Sequence, residues 1–323
     1  MTRAPRWLVW TLSLGLLAGV VVIAVHFSEA LDFARLAQQA QPAWLLLAVA
    51  LQGATYVAQA GIWRLVARAA SSSLSFADAL RISLAKQFVD QALPSAGVGG
   101  TVFTAGALEA RGVPPGPAWA AVAVNLISYN VVYVLGLAIA LGMGRLRGRG
   151  SAAIIGVSIV FTVLSAGLTG LMFFLPGRQS HPVSRRVAKV PLIHGLVDHL
   201  ESADARLTRD PRLLVGATLW QAAIVALDTL TLAALIESLG ERVRISGAFV
   251  SFMIASLVRS MGFVPGGLGT FEASSVVTLR MTGTPVSVAL AATLMFRGLT
   301  FWLPMLPGLW YSRRLAPAVK VDP

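Results

Sequence analysis

Apolar runs recur along this chain, each closed by a short polar or basic cluster. Six read as transmembrane helices: Trp7–Val25, Ala43–Trp63, Ala118–Gly142, Ser151–Leu175, Pro211–Ile236 and Val286–Tyr311. Each approaches or exceeds the length of about 20 residues that a span needs. Inside the second, Gln52, Thr55, Tyr56 and Gln59 follow helical spacing, which predicts one polar face turned inward. The third carries Asn125, Ser128, Tyr129 and Asn130; the fifth carries Gln221 and Asp228; the last carries Arg297. A lone Gln in a membrane helix more often joins helices than lines a cavity. A buried carboxylate is harder to dismiss, and Asp228 is a candidate proton carrier, as is Asp90 in the region before the first loop.

Two stretches are apolar yet cannot be continuous spans. Residues 76–93 contain Asp78, Arg81, Lys86 and Asp90 and lead into Pro94-Ser-Ala-Gly-Val-Gly-Gly-Thr101. Residues 247–280 contain Arg259-Ser-Met-Gly-Phe-Val-Pro-Gly-Gly-Leu-Gly-Thr-Phe-Glu272. Pro94 and Pro265 remove backbone donors. Gly97, Gly99 and Gly100 in the first loop, and Gly266, Gly267 and Gly269 in the second, permit non-helical turns. Such breaks survive at membrane depth only where protein or a water-filled cavity surrounds them. Both stretches therefore read as the tips of broken or re-entrant helix pairs that face one shared site.

The order of parts occurs twice. A shift of 169 residues lays Gln52 on Gln221, Gln59 on Asp228, Pro42 on Pro211, Thr101 on Thr270 and Arg111 on Arg280. Repeats with broken helices mark transporters that bind near the midplane between their halves. Coincidence among apolar segments is the competing explanation, and the matched polar positions argue against it. The expected architecture is an all-α polytopic membrane protein, one transmembrane domain over 1–323. Repeat one covers about 1–145 and repeat two about 150–314, with an amphipathic linker at 176–211. If each broken pair dips in and returns, there are six full spans plus two re-entrant hairpins, and the halves are inverted. If each pair crosses, there are eight spans and the halves are parallel. The Lys/Arg distribution favours the inverted arrangement in the cytoplasmic (inner) membrane, with both termini cytoplasmic.

Composition agrees with this pattern. The chain is 56% hydrophobic and 12% charged, against about 25% charged in soluble domains. Its net charge of +12 is scattered over short loops, which suits anionic lipid and not nucleic acid. It has no Cys, and its four His are dispersed, so neither thiol chemistry nor a metal site is expected. No cofactor motif and no nucleophile or phosphate-loop pattern occurs, so no enzyme activity is expected.

Arg259, Glu272 and Arg297 are the candidate chemistry. An intramembrane Arg costs at least about 2.5–3.5 kcal/mol and must be compensated. Either Glu272 pairs with Arg297 or Arg259 as a structural lock, with Asp228 and Asp90 completing the charge balance, or the remaining Arg binds an anionic group. A helix starting after Gly269 would aim free N–H groups and a positive dipole end at that group. Gln52, Gln59, Gln221 and Asn125 are candidate lining residues for the same cavity.

At these loops the sequence resembles the transmembrane-region family of lysylphosphatidylglycerol synthases, also called flippase-like membrane proteins. Pro265-Gly-Gly-Leu-Gly-Thr-Phe-Glu272 and Leu290–Trp302 are similar to its C-terminal signature; Pro94–Thr101 and Arg111-Gly-Val113 are similar to its first loop. The likeness runs from about residue 40 to 312. It implies movement or handling of a lipid: an aminoacylated phospholipid, a polyprenyl-linked glycan or a hopanoid-related lipid. It also implies that Glu272 and Arg297 are the motif acid and base. Relatives that make lysyl-lipids carry a further soluble synthase domain, which this chain does not show, so synthesis is not expected. Phe103 and Ser128 stand where a symmetric site would repeat Glu272 and Arg297. The expectation is thus a lipid translocase, with membrane lipids, the anionic ones on charge grounds, as partners. A proton-coupled solute transporter and a non-transporting partner of a lipid-modifying enzyme remain open, as does a homodimer.

Overall fold

The computed structural model describes residues 40–92, 98–146, 152–176, 200–261 and 265–315. The expected span Trp7–Val25, the tip residues Pro94 and Gly97, and most of the linker at 176–211 lie outside those residues. Every described element is a helix. They are α1 (Pro42–Ala69), α2 (Phe76–Ala92), α3 (Val98–Glu109), α4 (Pro115–Leu146), α5 (Ala152–Phe174), the single turn α6 (Ala205–Thr208), α7 (Pro211–Ser238), α8 (Ile245–Met261), α9 (Thr270–Met281), α10 (Val286–Arg297) and α11 (Leu303–Leu315). A 3₁₀ turn, Pro265–Gly267, joins α8 to α9, and a π-helical segment, Gly298–Trp302, joins α10 to α11 without a break.

Helix ends follow local chemistry. Pro42 and Pro211 open α1 and α7, where the missing N–H has no intrahelical acceptor anyway. The Asp210 carboxylate caps α7 by accepting from the Arg212 N–H, and Ser75 caps α2 by accepting from the Asp78 N–H. Among the described residues, four helices are long and apolar enough to cross a membrane: Pro42–Ala69, Pro115–Met143, Pro211–Ser238 and Val286–Leu315. Leu46, Leu219 and Leu306 project from three of them with at least 66% of their surface free, as lipid-facing residues do. The architecture is that of an all-α polytopic membrane protein.

Helix lengths pair off in order. Both α1 and α7 have 28 residues, α2 and α8 have 17, and α3 and α9 have 12. At 1.5 Å per residue, a 28-residue helix reaches about 42 Å, whereas 17 and 12 residues reach only about 25 and 18 Å. The short helices fall below the hydrocarbon thickness of about 30 Å.

The short helices form two U-turns. Arg111 Nε, just past α3, lies 3.3 Å from Asp78 Oδ1 near the start of α2, so this pair returns to the side it left. In the second pair, a Cβ on Gly247 at the start of α8 would lie 3.2 Å from Thr282 at the end of α9. Ser251 Oγ donates to the Ser275 carbonyl at 3.1 Å, and Ser275 Oγ lies 3.0 Å from Thr293 Oγ1, tying α8, α9 and α10 together.

α1 and α7 make the most extensive helix–helix contact. The Gln41 N–H at the head of α1 donates to the Ser238 carbonyl at the tail of α7 at 2.8 Å. Toward the other end, a Cβ on Gly216 would sit 2.9 Å from Leu65, and one on Gly61 would sit 2.7 Å from Trp220. The two helices are therefore antiparallel, and glycine lets them close up. The first U-turn has its base at the end of α1, and the second at the end of α7, beside the start of α1. The two hairpins thus enter from opposite ends of the bundle. The Pro265–Gly267 turn of the second packs against α2 of the first.

Each hairpin has its own core. Ile62, Trp63, Ile82 and Leu108 lead one cluster; Leu235, Met253, Phe271 and Phe296 lead the other. Gly308 on α11 admits Phe88 of α2, and Gly136 on α4 admits Met253 of α8. In both places a glycine of a long helix receives a hairpin side chain.

Candidate functional site

The second hairpin tip is built from glycine for a steric reason. Gly266, Gly267 and Gly269 have φ of 65°, 65° and 82°, in the left-handed region that costs other residues about 1–2 kcal/mol each. There is also no room for a side chain: a Cβ on Gly266 would run into the Phe301 ring and one on Gly267 into the Arg259 stem. The tip is clamped between α8 and the π segment.

Arg297 locks this tip in place. Its Nε donates to Glu272 Oε1 at 2.7 Å and its Nη2 donates to the Gly266 carbonyl at 2.8 Å. The guanidinium carbon stands 4.5 Å from the Phe301 ring centre and 5.4 Å from that of Phe271. Only 4% of the Arg297 side chain is exposed, and 16% of Glu272. The second Glu272 oxygen, Oε2, accepts from the Gly269 N–H at 2.7 Å, so the carboxylate also caps α9. Free N–H groups were expected at this helix start. The Gly269 N–H just ahead of it is taken by the chain's own Glu272, and Arg297 gives its Nε and Nη2 to protein acceptors.

The π segment belongs to the same construction. Pro304 has no N–H to give to Thr300 four residues back. The Thr300 carbonyl accepts instead from Gln87 Nε2 at 3.4 Å and Gln91 Nε2 at 3.3 Å, both on α2 of the other hairpin. A π segment is the usual device for re-aiming side chains inside a long helix. Here it sets Phe301 over Arg297.

In the first hairpin, Asp90 forms an ion pair with Lys86 and packs on Gly100, where any side chain would collide with its carboxylate. Lys86 is thus a charge partner of Asp90 within α2. Gly99 is half-buried and Gly100 buried at the start of α3. Asp90 and Arg259 are 169 residues apart, the same shift that relates the halves.

The other polar residues form two further groups. Asn125 Oδ1 accepts from Gln59 Nε2 at 2.9 Å and from Gln221 Nε2 at 3.0 Å, knotting α1, α4 and α7. These three residues act as interhelical glue. Asp228 faces the Gln52 amide and the Arg259 guanidinium. Arg259 in turn faces Tyr129 and Tyr133, whose rings stack with centres 4.2 Å apart. The candidate set is therefore divided: Glu272, Arg297 and Gly266 meet at the tip, and Asp228, Arg259 and Gln52 meet beside it.

Phe271, Phe301 and Tyr133 were not among the sequence candidates. A signal was present, because Phe301 follows Arg297 by four residues, one helical turn, and Phe271 precedes Glu272 directly.

Comparison with curated proteins found no match. The family described as "Lysylphosphatidylglycerol synthase TM region" matches residues 10–308. The chain is an integral membrane protein and belongs to this family.

Proposed function

We propose that this protein is a lipid translocase of the flippase-like kind, handling an anionic or isoprenoid-phosphate head group between two re-entrant hairpins. The supporting observation is the pair of hairpins. Each is too short to cross, they enter from opposite ends, and the Pro265–Gly267 tip of one lies against α2 of the other. Halves related this way form an inverted repeat, the arrangement from which two-sided access follows. The family's name ties it to a phospholipid, and the lipid here is one with a phosphate group. Glu272 and Arg297 hold the hairpin, and Arg259, which forms no ion pair closer than 4.0 Å among the described residues, is the cation that meets the lipid. Both termini lie in the cytoplasm, and the membrane is the inner one. The protein works without a cofactor, and catalysis is not its role.

The test is reconstitution into liposomes with fluorescent phosphatidylglycerol, phosphatidylcholine or an isoprenoid phosphate, and measurement of leaflet exchange. Faster exchange of at least the anionic lipid is expected. Exchange equal to that of empty liposomes for all three would refute the reading. The closed Arg297–Glu272 ion pair also favours a second reading, a non-transporting partner of a lipid-modifying enzyme. Under that reading exchange stays at background while the protein still co-purifies with such an enzyme.

A further inference from the structure

The Asp228–Arg259 neighbourhood has a feature that the tip lacks. Asp228 lies on the inner face of α7, on the same side as buried Gln221, Val225 and Leu232, while Leu219 and Leu230 face outward. An inward side chain in a packed bundle should be fully buried. Asp228 is only half-buried, as are Arg259, Tyr56 and Tyr129, which come from three other helices. Open space therefore adjoins all four inside the bundle. Two polar atoms on its wall are buried and form no hydrogen bond: Gln52 Oε1 and the Tyr56 hydroxyl. Gln52 is 6% exposed and neighbours both Tyr56 and Asp228. Buried polar atoms are rarely left so without a ligand or water to meet them. Arg259 also differs from Arg297. Among the described residues, the ion pairs closer than 4.0 Å are Arg81–Asp78, Lys86–Asp90, Arg111–Asp78 and Arg297–Glu272, and Arg259 is in none of them.

We infer that this chamber is an oxyanion site in which an incoming phosphate group takes Arg259 and Asp228 picks up a proton as it arrives. The inference rests on the reading of the hairpin region as a seat for an anionic head group, and it names the coupling. In the empty site the Asp228 carboxylate is the counter-ion of Arg259. A second anion cannot share one guanidinium in a dry interior unless a charge is removed. One proton from the aqueous side converts the Asp228 carboxylate to the acid, so a singly charged phosphodiester binds with the charge of the chamber unchanged, and doubly charged sulfate binds with one negative charge added instead of two. The unpartnered Gln52 Oε1 then accepts the new Asp228 O–H, and the Tyr56 hydroxyl donates to the anion. The groups facing Asp228 are Gln52 and Tyr56 from α1, Tyr133 from α4 and Arg259 from α8. None supplies a second carboxylate.

The test uses the full chain in weakly buffered detergent, with sulfate and short-chain phosphatidylglycerol as separate probes. Neither titrates near neutral pH, so any proton taken up goes to the protein. The expected result is uptake approaching one proton per ligand on the alkaline side of neutrality, with affinity there rising by up to about tenfold per unit fall in pH and levelling off as the pH becomes acidic. Asp228→Asn should bind with no proton uptake and no pH dependence, and Arg259→Gln should not bind. Equal uptake by wild type and Asp228→Asn, affinity that falls with acidity, undiminished binding by Arg259→Gln, or no binding of either probe would each overturn the inference. If Asp228→Asn does not fold, the proton count of the wild type decides alone. Sulfate binding with proton uptake but no leaflet exchange would leave the inference standing and remove the translocase reading. Lipid exchange independent of pH and of Asp228 would do the reverse.

Discussion

Arg297 has four protein partners and almost no exposed surface, so its first role is to hold the tip. Removing one member of a buried ion pair leaves the other charge uncompensated and costs about 3–5 kcal/mol. Arg297→Ala and Glu272→Gln should each lower the melting temperature in detergent sharply. Combining Glu272→Gln with Arg297→Gln should destabilise by clearly less than the sum of the single changes. Additive losses would mean that the pair is not coupled. Gly267 makes a second prediction. An Ala there must adopt a φ of 65° and displace the Arg259 stem, at a cost of about 1–2 kcal/mol for the backbone alone. Gly170→Ala, with nothing within 4 Å of the new methyl, is the matched control and should be neutral or mildly stabilising. Thermal unfolding of the two variants side by side checks this.

At the level of elements, the decisive unit is the last helix with its π segment. Its 30 residues would be a plain span but for Pro304 and Pro307, and the first of these frees the Thr300 carbonyl for Gln87 and Gln91. Pro304→Ala restores a donor, and the regular ladder then competes with the π register. Phe301 should move off Arg297. Leaflet exchange should fall several-fold while the melting temperature holds or rises, as is common where a strained site is relaxed. Loss of stability with unchanged exchange would show that the π segment only supports packing. The break at Pro265 was legible because Pro and three Gly in an apolar run leave few conformations. The π segment was not, because its cause is a carbonyl on one hairpin's clamp meeting glutamines on the other hairpin, more than 200 residues earlier in the chain.

For the whole molecule, the proposed inverted arrangement rests on the antiparallel contact of α1 with α7. The chain has no Cys, so single cysteines report cleanly. Ser75→Cys, at the base of the first hairpin, and Glu241→Cys, at the base of the second, should react with a membrane-impermeant maleimide from opposite sides of sealed vesicles. Labelling of both from one side would make the halves parallel and remove the structural basis for two-sided access. α1 and α7, α2 and α8, and α3 and α9 match in length, pair by pair.

The sequence alone determined that this is a helical membrane protein, where its long helices lie and where two of its helix pairs break. Those properties follow from hydrophobic length, Pro and Gly, which act within a few residues of themselves. Tertiary structure decided which charges meet. Arg259 and Arg297 are alike as residues in apolar helices, and only the close approach of Glu272, Gly266 and Phe301 makes one a clamp. Only the placement of Asp228, Gln52 and Tyr129 around a shared space leaves the other without such a lock. Partner choice in a low-dielectric interior is set by distances between distant parts of the chain, and no local pattern encodes those distances.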